Sequence, residues 1–170
     1  MARIVISDSS VLMDLAIGRL LEATPKLPFR FEIPDVMFTS ELLDLGDYTR
    51  DQLVEFGFRI GTLEGDGVIR AFSYFQEYRT LLSERDCFAL VLAEERKAIL
   101  MSGDRRLREI SEVKGVEVHG VLWIADLILE HRVLSASALA KRLEKLSRNP
   151  RCRLPKKELM KRITAWRSST

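Results

Sequence analysis

The sequence predicts an α/β fold, a three-layer α/β/α sandwich in which a central parallel sheet carries helices on both faces. Three observations predict it. Short apolar runs at residues 3–7, with β-branched Ile4, Val5 and Ile6, and at 98–101 are continuous rather than alternating, as in strands buried on both faces. Helical patterns separate these runs, which favours parallel pairing. Two of the runs end in an acid that opens a helix, Asp8 after RIVIS and Asp104 after AILMSG. Both acids are thereby delivered to the carboxyl edge of the sheet, where open α/β folds bind ligands.

The first strand, residues 3–7, should be central because Ile4, Val5 and Ile6 leave it no polar face. A helix follows through Val11, Leu12, Leu15, Leu20 and Leu21 and runs out near Thr24 and Pro25. Residues 29–33 make a second short strand, and Pro34 introduces a helix over residues 35–45 that holds Glu41. In the glycine-punctuated segment that follows, residues 58–62 read as an edge strand, Gly61, Gly65 and Gly67 as turns and Asp66 as a helix cap. Residues 68–79 place Val68, Ile69, Phe72 and Phe75 on the inner side of a helix that covers the sheet. Ser83 and Asp86 have capping-box spacing at the start of a helix whose apolar face is Phe88, Val91 and Leu92, with Cys87 and Leu90 beside them. After the strand at 98–101, Ser102, Gly103 and Asp104 turn into a charged helix from 105 to 110. Residues 116–119 form the last strand. Three further helices carry Leu122 to Leu129, Leu134 to Leu146, and Leu159, Ile163 and Trp166.

At 170 residues, 46% hydrophobic and 31% charged, the chain is sized for one globular domain, divided as a core over 1–132 and a basic helical extension over 133–170 packed on it. No apolar run approaches the roughly 20 residues needed to span a bilayer, and the start MARIVISD lacks the long apolar stretch of an export signal. The expectation is a cytoplasmic protein. Cys87 and Cys152 support neither a disulfide framework nor a zinc ligand set and read as free thiols; His119 and His131 read as surface or helix-end residues. The net charge of +2 conceals a split: from Arg132 onward twelve Lys and Arg face two Glu, a net of +10, while the preceding residues hold 15 against 23 acids, a net of −8. An acidic region joined to a basic surface suits a polyanionic partner, and it is equally what a solvated pair of helices would show.

Taken singly, Asp8, Asp86 and Asp104 each have a capping role. Together they matter more, because Asp8 and Asp104 reach one sheet edge and Asp86 begins the helix that feeds the second of those strands. Carboxylates about 4 Å apart repel by roughly 4 kcal/mol per pair at an effective dielectric of 20, so a cluster of them calls for a cation or a bound proton. Magnesium or manganese suits such oxygen donors, which substrate phosphate usually completes. A metal-activated water attacking a phosphodiester is the matching chemistry, since no Ser, Cys and His arrangement for covalent catalysis is visible.

The order Asp8 with Ser9 and Ser10, Glu41 in the second helix, Asp86 before FALVLAEE, and SGD at 102–104 resembles the PIN-domain ribonuclease family, and the likeness runs across nearly the whole chain. The resemblance implies a PIN-like parallel sheet between helices. It makes Asp8, Glu41, Asp86 and Asp104 the metal-binding catalytic acids, with Ser10 and Ser102 as supporting hydroxyls. It also implies Mg2+ or Mn2+ as cofactor, RNA as substrate, a homodimer, and, in VapC-type members, a toxin held by a small antitoxin. Two departures from the family pattern are Gly103 followed by Arg105, where many members place a further acid, and Ser102 where many have Thr. Arg105, Arg106, Lys157 and Lys161 are the candidates for holding an RNA backbone. Two other readings compete: a catalytically weak or inactive PIN-like RNA- or protein-binding module, and a flap-type nuclease directed at DNA.

Overall fold

The chain alternates strand and helix from its first residues. In the computed structural model, which describes residues 1–39 and 45–169, the strands are β1 (Ile4–Ser7), β2 (Arg30–Pro34), β3 (Arg59–Gly61), β4 (Ile99–Met101) and β5 (Val118–His119). Among the described residues the α-helices are α1 (Ser9–Ile17), α2 (Arg50–Phe56), α3 (Asp66–Glu77), α4 (Glu84–Arg96), α5 (Arg105–Val113), α6 (Val121–Glu130), α7 (Ala136–Ser147) and α8 (Lys156–Arg167). The sheet is parallel throughout, in the order β3-β2-β1-β4-β5, and the fold is a three-layer α/β/α sandwich.

Alternation along β2 separates the two faces. Phe31 packs edge-on against Phe58 and Phe29, and Phe29 against Trp123 of α6, which stands with α1 and α7 on one side. Glu32 points the other way and pairs with Arg30 at 3.0 Å and with Arg96 of α4 at 3.5 Å. Helices α3 and α5 pack with α4 on that side. The chain therefore leaves β1 through α1 on one face and leaves β4 through α5 on the opposite face. Because β1 and β4 are neighbours, the topological switch point falls between them, and the crevice opens at their carboxyl ends.

Helix α4 is the centre of its layer. Residues 87–93 are buried without a break, so the helix is enclosed by the sheet on one side and by α3 on the other. Helix α3 does not cover the sheet as its apolar pattern suggested. Its Ala71 packs on Phe88 and Val91 of α4 in a separate small cluster, while Ile69 and Phe72 are exposed. A periodic apolar stripe specifies that a face is buried, not what buries it.

Other boundaries also differ from expectation. The first helix stops at Gly18, and only a short 3₁₀ turn, Thr24–Lys26, follows before β2. Pro34 opens a 3₁₀ turn over Asp35–Phe38 rather than a described long helix, and the remainder of that predicted helix, including Glu41, lies outside the described residues. Gly61 is in β3, and Asp66 is the first residue of α3 behind an N-cap at Gly65 whose φ is +52°. Helix α2 was not anticipated. Its start is a capping box between Thr49 and Gln52, and its end is Gly57 at φ +116°, a left-handed position suited to glycine.

Candidate functional site

Asp8 and Asp104 arrive at the switch point by the same local device. Asp8 stands directly after β1 and Asp104 follows β4 after Ser102 and Gly103, both in extended conformation, and each caps the following helix: Asp8 Oδ1 accepts from the Val11 N–H at 2.9 Å, and Asp104 Oδ1 from the Leu107 N–H at 2.8 Å. Strand register places them together. Ser7 pairs with Met101, the Asp8 N–H donates to the Met101 carbonyl at 3.0 Å, and the Ser102 N–H donates to the His119 carbonyl at 2.9 Å.

Two serine hydroxyls link the two turns. The Ser102 hydroxyl favours the charged Asp8 carboxylate, and its Oγ accepts from the Asp104 N–H at 3.0 Å. Ser10 donates to Asp8 Oδ1 at 2.8 Å while its Oγ accepts from the Gly103 N–H at 3.3 Å. Both residues that the resemblance named as supporting hydroxyls thus join the β1 end to the β4 end. A Cβ added at Gly103 would meet Ser10 Oγ at 3.5 Å, an ordinary contact, so the spacing of the two turns does not require glycine there.

Asp8 is 1% exposed. Burial pushes its carboxyl up from 3.8 to about 6; hydrogen bonds from Ser102, Val11 and Ser10 pull the other way, and the nearby negative charge of Asp86 adds a further upward push. Asp86 itself is in the first turn of α4, where its Oδ2 accepts from the Ser83 N–H at 2.8 Å in a complete capping box. Its electrostatic reach to Asp8 brings the third acid into the same neighbourhood.

Carboxylates alone form a hard donor set, the chemistry that suits magnesium or manganese. Among the described residues, no three acidic, histidine or cysteine side chains converge closely enough to enclose a metal ion. The fourth acid expected there, Glu41, lies outside the described residues.

The surface beside the acids is concave. A cavity of about 530 Å³ runs from Ser10, Gly103 and Asp104 across α1 to Lys145, Arg151 and Arg153, and a second of about 400 Å³ lies on the other side of Gly103, against Arg108 and Trp123. Arg153 and Leu154 line both. Arg105 borders the second cavity but is paired with Glu109 at 2.8 Å. Arg106, Lys157 and Lys161 are exposed and line neither. Lys145 and Arg153 belong to the basic extension but lacked any sequence signal that separated them from its other cations. His119 supplies the backbone carbonyl that positions Ser102 and stacks its ring on Trp123 at 4.3 Å, a role that its place at a strand end did not reveal.

The two cysteines are free thiols, Cys87 buried among apolar side chains that lift its thiol to about 12. No helix among the described residues is long and apolar enough to cross a membrane. Among curated proteins, none matches the chain. A family model, DUF3368, described as a PIN domain, matches residues 4–168, nearly the whole chain: the chain belongs to the PIN-domain family.

Proposed function

We propose that the chain is a divalent-metal-dependent endoribonuclease that hydrolyses RNA phosphodiesters at the carboxyl ends of β1 and β4. PIN domains are a nuclease-type family. The observation that carries the reading is the buried Asp8 carboxylate at the topological switch point, tied to the β4 turn through Ser10, whose hydroxyl donates to Asp8 Oδ1 at 2.8 Å and accepts from the Gly103 N–H at 3.3 Å. Asp8, Asp86, Asp104 and Glu41 are the residues that would hold Mg2+ or Mn2+. A bound divalent ion supplies Lewis acidity, lowering the pKa of water and offsetting charge on the phosphoryl oxygens.

The chain's own groups prepare that site. Ser102 and Ser10 fix the orientation of the Asp8 carboxylate, and their second bonds, to the Asp104 and Gly103 N–H groups, set the spacing of the two turns. Helix-capping bonds occupy one oxygen each of Asp8 and Asp104. Burial raises the free energy of the Asp8 anion, so a cation that neutralises it gains more than it would from a solvated carboxylate. The basic residues of the extension provide sequence-independent attraction for a phosphate backbone.

The resemblance to VapC-type members extends the proposal: a cytoplasmic toxin, homodimeric, restrained by a small antitoxin. The spacing of the described acids favours one alternative, a catalytically weak RNA- or protein-binding module of the same fold. Incubating labelled single-stranded RNA with wild type and with Asp104→Asn, in chelator and in magnesium or manganese, separates the readings. Metal-dependent cleavage by wild type, lost in the variant while RNA affinity persists, is expected. RNA binding without cleavage in any metal supports the binding module, and preferential cutting of branched DNA would identify a flap-type nuclease.

A further inference from the structure

The cavity of about 530 Å³ contains an acid that neither the capping geometry nor the proposed metal site uses. Asp14 lies one helical turn beyond Ser10 on α1, and residues four apart share a helix face, so it sits about 6 Å along the axis from the hydroxyl that holds Asp8. Its side chain is partly buried, lines the cavity, and makes no hydrogen bond or ion pair with any other described residue. Burial alone lifts its carboxyl to about 6. A carboxylate in such a recess accepts hydrogen bonds and repels phosphate, so a nucleotide can meet it only with a neutral donor. Farther along the same cavity stand Lys145 and Arg153, neither in an ion pair with a described residue. Tyr48 adds an aromatic ring to the wall.

Resting on the reading of the chain as an RNA-cleaving enzyme, we propose that this cavity is the subsite for the nucleotide next to the scissile bond. Lys145 and Arg153 hold its phosphate groups, and Asp14 accepts a hydrogen bond from a neutral donor, the ribose 2′-hydroxyl or a base amino group. An acceptor in a recess shared with cations reads the sugar or the base, because phosphate is steered to the cations. The recess also selects single strands, in which sugar and base edges are free to enter a concave site.

The test is binding of fluorescent single-stranded oligonucleotides in chelator, which prevents cleavage: RNA, DNA of the same sequence and 2′-O-methyl RNA, with wild type, Asp14→Ala, Asp14→Asn and the double variant Lys145→Glu with Arg153→Glu. Thermal unfolding of each variant first establishes that it is folded. The charge-reversal variant should bind RNA and DNA alike at least about tenfold more weakly, with a shallower dependence on salt. Asp14→Ala should lose about tenfold on RNA. If the donor is the 2′-hydroxyl, the loss falls on RNA and spares DNA, and wild type already discriminates against the 2′-O-methyl strand. If the donor is a base amine, RNA and DNA lose together and adenine- or cytosine-rich strands lose more than uracil-rich ones. Wild type that binds and, with metal, cleaves RNA while folded Asp14 and charge-reversal variants bind it equally well would overturn the subsite and leave the nuclease reading standing. Wild type that neither binds nor cleaves RNA overturns both.

Discussion

Replacing Asp8 with Asn should make the metal-free protein more stable, and increasingly so as pH rises. The native Asp8 carboxyl ionises at about 6 against 3.8 for an exposed one, a difference of roughly two units, and each unit corresponds to about 1.4 kcal/mol. Because the folded-state value is raised, the native chain holds this proton more tightly than the unfolded chain. Its contribution is intact below about pH 3.8 and is lost as pH climbs through about 6, reaching a deficit of about 3 kcal/mol near neutrality. Asparagine removes that deficit and keeps an Oδ1 acceptor for the Val11 N–H and the Ser10 hydroxyl. Ser102 would lose the acceptor for its proton, at a cost of about 1 kcal/mol. The net gain at pH 8 is therefore about 2 kcal/mol, a rise of about 4–8 °C in Tm for a chain of this size. Urea unfolding of wild type and variant, in chelator from about pH 4.5 to pH 8, measures the difference directly. Its expected growth over that range is about 2 kcal/mol. A difference that stays flat with pH, or a variant less stable at pH 8, would refute the reasoning that burial of a charged Asp8 carries this deficit.

Two further predictions concern the scaffold around α4. Glu32→Ala leaves Arg30 and Arg96 without their shared carboxylate; since both arginines keep contact with water at 36% exposure, the loss should be about 2 kcal/mol, below the 3–5 expected of a fully buried pair. It is read as a lower urea midpoint at unchanged m, and a shift under about 0.5 kcal/mol would mean that the ion pairs contribute little. Gly61→Ala brings a Cβ to 2.7 Å from Leu92 Cδ2 and 3.0 Å from Glu32 Oε2. Overpacking of this kind costs about 1–3 kcal/mol, and Leu92→Ala in the same chain should recover part of it in a double-mutant cycle; strictly additive losses would show that the contact relaxes without strain.

Much of the acid-bearing sheet edge was legible in the sequence because its signals are local. A short apolar run, an Asp soon after it and then an amphipathic stretch are enough to put Asp8 and Asp104 near strand ends, and Ser83 with Asp86 announces a capping box in four residues. What periodicity cannot carry is which strands meet. The pairing of β1 with β4, which creates the switch point, joins residues more than ninety positions apart. Helix α2 escaped notice because only Leu53 in it is buried, leaving almost no apolar stripe to detect. Helix α3 was given the wrong neighbour for the complementary reason, since a stripe that packs on α4 looks the same in sequence as one that packs on a sheet. Among the basic residues of the extension, Lys145 and Arg153 are set apart only by the path of the chain after α7, which brings them to the cavity beside Asp104 while Lys157 and Lys161 remain outside it.

The most direct test of whether the acids at the ends of β1 and β4 hold a divalent cation is thermal unfolding of wild type and of Asp104→Asn, each in chelator and then in millimolar manganese or magnesium. Mass action predicts that metal stabilises wild type, by about 2.7 kcal/mol at a hundred times its dissociation constant, and that the variant gains much less. Equal responses of the two proteins to metal, or no response from wild type, would contradict a metal site built on Asp104.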